Sequence, residues 1–408
     1  MTRAMLTASQ WTIACAGCLL LGGLPLALSQ PAPAPSEAPP DRPSPVLPKP
    51  TNTAKPLLPS APFPKKSQLL GDFSTRDDRR TLLTAVDHSL RYLQTERAIA
   101  GYRQSRVSGI SRERVYQSLK RFRQLLLTQP SAAALQAAIE REFVVYQAAG
   151  NDGQGTVAFT GYFEPVYTAS RLPTVEFRYP LFRVPPNLAS WSKPHPTRLQ
   201  LEGADGLQRH SRLKGLELVW LRDRLEAFLI QVQGSARLQL TDGSVMTVGH
   251  AGTTDYPYTG IGRELVKAGK FKLEDLTLPR LLQYLADNPA DRDVYLPRNN
   301  RFVFFRPTGG AAATGSIGVP VTAERSIATD KTKFPPGAIA LIQTQIPYVN
   351  AAGQLENRVV RRYVLDQDTG GAIKGAGRVD LFMGTGKLAG DRAGLINATG
   401  QLYYLLLK

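Results

Sequence analysis

An α+β fold that is mainly β is predicted by three observations on this 408-residue chain. Between about residues 76 and 150 apolar residues recur at helical spacing. Beyond Asn151-Asp152-Gly153 the texture changes to short β-rich segments separated by frequent turns. Near the C-terminus, residues 366–380 read Asp-Gln-Asp-Thr-Gly-Gly-Ala-Ile-Lys-Gly-Ala-Gly-Arg-Val-Asp, which sets Asp368 and Asp380 on either side of a glycine-rich connection. Carboxylates on a tight, glycine-rich scaffold are material for acid–base chemistry.

The chain opens with Arg3 and an uncharged stretch whose leucine-rich centre ends at Pro25 and Ala27-Leu28-Ser29. That order predicts a signal peptide over residues 1–29 and an exported protein, with a retained anchor or a lipidated Cys18 as alternatives. Both cysteines, Cys15 and Cys18, fall inside it, so the mature chain would have neither disulfides nor thiol chemistry. Residues 30–64 contain 13 prolines and predict an extended tether that cannot build a core. Nearly all of the formal charge of +17 lies beyond the leader. It favours an anionic partner, and export favours an acidic wall polymer or membrane surface over nucleic acid.

Three helices are expected next. Leu82, Leu83, Val86, Leu90 and Leu93 mark one; Val115, Leu119, Phe122 and Leu125 mark a second. Ser131 caps a third that should end near Ala148-Ala149-Gly150. Strands are expected at 156–160, 226–232, 236–240, 302–305, 338–343 and 359–365, with one helix at 278–286 between them.

Three blocks in the β region carry more polar chemistry than a barrel needs. Thr160-Gly161-Tyr162-Phe163-Glu164 interleaves aromatics with hydroxyls, which suits sugar rings. If 226–232 is a strand, Gln231, Gln233 and Ser235 share one face and offer uncharged donors and acceptors to a saccharide. A third block, 320–330, supplies Asp330. The four histidines have no paired ligand spacing, and neither a metal nor a cofactor is expected.

Together these residues resemble the MltA family of lytic murein transglycosylases, with its C-terminal "3D" domain named for three aspartates. The resemblance rests on Thr160-Gly161-Tyr162 with Glu164-Pro165, on Gln231-Val232-Gln233-Gly234-Ser235 and on Phe302-Val303-Phe304-Phe305. It continues through Ser326-Ile327-Ala328 to Asp330, and through Asp368-Thr369-Gly370-Gly371 to Asp380. It implies a double-psi β-barrel domain from residues 65–160 and 300–408, an inserted β domain from 161–299, and a groove between them for a peptidoglycan glycan strand. It also implies cleavage without water. Asp380 would serve as acid and then base, with Asp368 and Asp330 in support. Thr160, Tyr162, Glu164, Gln231, Gln233, Ser235 and Lys374 would be substrate-binding, in a periplasmic or cell-envelope protein. Asp391 is a weaker acidic candidate. The residues alone leave open a hydrolytic glycosidase pairing Asp368 with Asp380, and a non-catalytic wall-binding module. Asp368-Thr369-Gly370 also matches the aspartic-protease signature, but no second such loop is present.

Overall fold

The computed structural model describes residues 56–59 and 76–408, apart from 105, 106, 108, 209 and 210. The expected leader and most of the tether lie outside the described residues. No helix among those described is long and apolar enough to cross a membrane.

Four helices open the folded region: α1 (Arg76–Leu93), α2 (Glu96–Gln104), α3 (Arg112–Thr128) and α4 (Ala132–Glu142). Ser111 and Ser131 cap α3 and α4, their hydroxyls accepting from the backbone N–H of Arg114 and Ala134. The periodic residues Leu82, Val86 and Leu93 of α1, and Val115, Leu119 and Phe122 of α3, are buried where the two helices pack on each other and on the barrel. The Phe122 ring lies 5.2 Å from that of Tyr363.

The third expected helix stops early. It ends at Glu142, and Phe143–Ala148 form a strand. Phe143, Val145 and Ala148 are buried there, and the aromatic and β-branched run Phe-Val-Val-Tyr fits a pleated surface better than a helix. A short piece of the expected tether is also structured, since Leu57–Pro59 pairs antiparallel with that strand.

Among the described residues fourteen strands form two sheets. The first contains β1 (Leu57–Pro59), β2 (Phe143–Ala148), β3 (Val157–Glu164), β10 (Ser326–Ala328), β11 (Ile339–Val349), β12 (Leu355–Asp368), β13 (Arg378–Thr385) and β14 (Asn397–Leu407). Six of these close on themselves in the order β14-β11-β12-β10-β13-β3, with β3 pairing back to β14, so the domain core is a six-stranded barrel. Closure leaves those strands no open edge. The barrel is filled by Val157, Phe159, Ile327, Ile342, Val379, Leu381 and Leu402. Alternation therefore turns Thr160, Arg378 and Asp380 outward.

The second sheet runs β5-β6-β4-β7-β8-β9, from β4 (Val166–Ser170), β5 (Tyr179–Phe182), β6 (Glu217–Leu221), β7 (Ser235–Leu240), β8 (Val245–Thr253) and β9 (Val303–Pro307). It carries helices α5 (Arg198–Glu202), α6 (Arg224–Gln233), α7 (Ile261–Lys267), α8 (Leu278–Asp287) and α9 (Pro289–Tyr295). Helix α10 (Lys387–Leu395) returns to the barrel.

One expected strand is wrong: residues 226–232 lie in α6. Asp223 accepts from the N–H of Leu225 as its N-cap, and Gly234 ends it at φ +81, where a side chain would be strained. Asp223, Glu226 and Gly234 were the cap signals, and the apolar run 227–230 hid them by reading equally well as a buried strand.

Candidate active site

Strand β10 is the organiser. It pairs parallel with β12 and antiparallel with β13, and Ala328 stands opposite Asp368 on one side and Asp380 on the other. Strand β3 lies on the far side of β13, with Thr160 opposite Asp380 and Tyr162 opposite Phe382. Four neighbouring strands thus bring together residues up to 220 positions apart in sequence.

Each acid is held differently. Asp368 uses both oxygens: Oδ1 accepts from the backbone N–H of Ser316 and of Thr369, each at 2.8 Å, and Oδ2 accepts from the Tyr162 hydroxyl at 2.9 Å. Burial raises it above the ordinary carboxylate value, against the pull of those three donors. Asp330 is also engaged at both oxygens, accepting from the N–H and hydroxyl of Thr332 and from the N–H of Gly375. Burial pushes Asp330 up, but those donors and nearby Lys374 outweigh it and hold the carboxyl below its usual value.

Asp380 is the least engaged. Its Oδ1 accepts from the Thr160 hydroxyl at 2.8 Å, while Oδ2 has no donor among the described residues. The Thr160 oxygen in turn accepts from Arg378 Nη2 at 2.9 Å. Burial raises Asp380 above the ordinary carboxylate value, the Arg378 charge and the Thr160 hydrogen bond draw it part of the way back, and the Asp368 charge adds to the rise. Half-buried, it keeps a face toward solvent. An acid with a raised pKa and one free oxygen can give a proton to a bound group and take one back.

The other expected residues divide. Thr160 and Tyr162 join the site, each bonded to one of its aspartates, and the Tyr162 ring packs 5.2 Å from that of Phe382. Glu164 does not reach a surface: it is 2% exposed and accepts from the Thr385 hydroxyl. Gln231 is buried in α6, its Oε1 accepting from Arg198 Nη2 and from the N–H of Val303, so its carbonyl oxygen serves the fold. The Gln233 Oε1 accepts from the N–H of Phe163 and so ties α6 to β3. Ser235 is half-buried at the start of β7; it shares no strand face with either glutamine, because both are helical. Lys374 is exposed beside Asp330, and Asp391 pairs with Lys387 on α10.

Arg378 was missed, although it stands two residues before Asp380. Tyr258, Arg263 and Arg301 were missed too, lacking any local signal; the fold brings them from the second sheet's segment toward Asp380 and the 366–380 loop. Two surface depressions elsewhere, one of about 320 Å³ lined by Gln343, Gln345 and Gln401 and one of about 700 Å³ beside Lys120 and Lys408, contain none of the three aspartates.

Comparison with known proteins places the chain in a family. Residues 158–306 match the family model described as the MltA specific insert domain, and residues 325–406 match the 3D domain. The chain is 30% identical over 263 residues to membrane-bound lytic murein transglycosylase A of Escherichia coli K12, covering 64% of this chain and 68% of that protein. It is 33% identical over 266 residues to the Vibrio cholerae protein of the same name, covering 64% and 68%. Its fold is similar to a membrane-bound lytic murein transglycosylase from Agrobacterium tumefaciens, with a TM-score of 0.66 at 25% identity over 83% of this chain and 98% of that one. It is also similar in fold to E. coli MltA with bound chitohexaose, with a TM-score of 0.66 at 24% identity over 88% and 96%.

Proposed function

This chain belongs to the MltA family of lytic transglycosylases, and we propose that it cleaves the β-1,4 bond between N-acetylmuramic acid and N-acetylglucosamine in peptidoglycan, leaving a 1,6-anhydro end. Asp380 is the one acid/base. It starts protonated, gives its proton to the glycosidic oxygen as positive charge develops on the sugar ring, and then takes the proton of the C6 hydroxyl as that oxygen closes on C1. Thr160 orients the carboxyl through Oδ1, so that Oδ2 carries the proton toward the sugar. Tyr162 and Asp368 support the floor beside it, and Asp330 braces the 366–380 loop through Gly375.

The observation that carries this reading is the unequal engagement of the acids. A hydrolytic pair needs a second carboxylate free to act as nucleophile or base. Asp368 and Asp330 each have both oxygens occupied by protein donors, whereas Asp380 has one free. A single free acid fits a reaction in which the substrate's own hydroxyl replaces water.

The barrel is read as double-psi from its parallel pairs β10–β12 and β3–β13 within an otherwise antiparallel ring. The glycan strand would lie in a groove between the barrel wall at Asp380 and the second sheet's domain. An envelope location is supported by the membrane-bound relatives and by the apolar stretch that follows Arg3. Digestion of purified peptidoglycan, with mass spectrometry of the released ends, tests the reaction. The wild type should release anhydro-muropeptides and Asp380→Asn should not; wild-type activity in that variant would remove Asp380 from the mechanism.

A further inference from the structure

Two half-buried arginines lie beside the cleavage segment, Arg378 next to Asp380 and Arg301 against Gly371 of the 366–380 loop, and among the described residues neither has a carboxylate within 4.0 Å. Arg378 is half-buried; its Nη2 donates to Thr160, and among the described residues its buried Nε has no acceptor and it forms no ion pair within 4.0 Å. Arg301 is half-buried too, and among the described residues its guanidinium makes one hydrogen bond, from Nη1 to the Tyr256 carbonyl at 3.4 Å. The 366–380 loop lies directly against it: a Cβ built on Gly371 would sit 3.2 Å from Arg301 Nε and 3.4 Å from the Cβ of Tyr258. Arg263, exposed on α7, is close enough to lower Arg378 further after burial has done so, and Tyr258 feels Arg378, Asp380 and Arg263 together. Among the described residues neither Arg263 nor Arg301 has a carboxylate within ion-pair distance.

Withdrawing guanidinium groups from water is unfavourable unless an anion or several acceptors replace the lost hydration. Asp380 does not supply that charge in its protonated form. A planar fork of donors left open beside a cleavage site is suited to a carboxylate, which it can grip through two parallel hydrogen bonds. We propose that Arg263, Arg301 and Arg378 form a binding site for a carboxylate carried on the stem peptide of the glycan strand. The proposal rests on the reading of Asp380 as the point of cleavage. It adds that the groove distinguishes the acidic wall polymer from a neutral glycan of the same backbone.

Calorimetry on the full chain carrying Asp380→Asn tests it, because binding is then read without turnover. The probes are a soluble peptidoglycan fragment bearing stem peptides and the same fragment with its carboxylates capped as methylamides. Capping should weaken binding by about tenfold or more, and the difference should shrink as salt rises. In the Arg263→Gln/Arg301→Gln double variant, checked for an unchanged melting temperature, the two probes should bind within about twofold of each other. Equal binding of both probes to the parent, or full discrimination retained by the double variant, would overturn the proposal. A protein that binds the carboxylate yet releases no anhydro ends would instead fail the reaction scheme and leave this site standing.

Discussion

Arg198, on α5 of the second sheet's domain, and Arg378, on the barrel wall, are both withdrawn from solvent, yet they are partnered in opposite ways. Arg198 is 1% exposed; it donates to Glu202, Gln231 and the carbonyls of Asn299 and Arg301, with its guanidinium 4.9 Å from the Phe228 ring centre. Arg224 shares Glu202 and adds Asp293. Arg378 donates only to Thr160 and has an orphan Nε. The aspartates follow the same division. Asp366, inside the barrel, accepts from Thr329, Lys331 and Tyr404; Asp380 accepts from Thr160 alone. Where polar groups are saturated they hold the fold together, and where they are left short they are available to a substrate.

That division can be broken at either end. The largest effect is expected at the unsaturated acid: Asp380→Asn should lower kcat/KM by on the order of 10²–10⁴-fold, with the melting temperature unchanged. The saturated cluster should respond in the reverse sense. Glu202→Ala strands two buried guanidinium groups and should destabilise the fold by about 3–5 kcal/mol, read by denaturant unfolding. A loss below 1 kcal/mol would show that the cluster is not what holds α5 against α6 and the Asn299–Arg301 backbone.

Thr160→Val should act more gently. Removing a hydrogen bond to a charged group forfeits about 1.5–3 kcal/mol, so kcat should fall by about tenfold or more. The pH profile should move as well. The Thr160 hydroxyl favours the charged carboxylate, so its loss lets burial and the Asp368 charge raise Asp380 further, with Arg378 still opposing. An acid that must start protonated loses activity as pH rises through its pKa, so the alkaline limb should shift to higher pH. A shift to lower pH, or none, would show that Thr160 does not act through Asp380.

Helices α1 and α3 and barrel strands β11 and β12 were legible because their apolar periods are long, as at Leu82 to Leu93 and along 338–343 and 359–365, whereas α2, β10, β13 and β14 were not read. The three aspartates were legible through a motif. Two things were hidden. Residues 226–232 are short and apolar, and only the caps at Asp223 and Gly234 separate a helix from a buried strand there. Misplacing them made a groove wall of Gln231, which is a buried partner of Arg198. The arginines were hidden for another reason: Arg263, Arg301 and Arg378 are far apart in sequence, and nothing in the spacing of isolated basic residues in a strongly basic chain marks three of them.

The central claim is that one carboxylate with a free oxygen cleaves the strand without water. Digesting peptidoglycan in water enriched in heavy oxygen, with mass spectrometry of the new muramic acid ends, measures this directly. The account predicts ends that carry no heavy oxygen and are lighter by one water than reducing ends; heavy oxygen incorporated at C1 would show hydrolysis and contradict it.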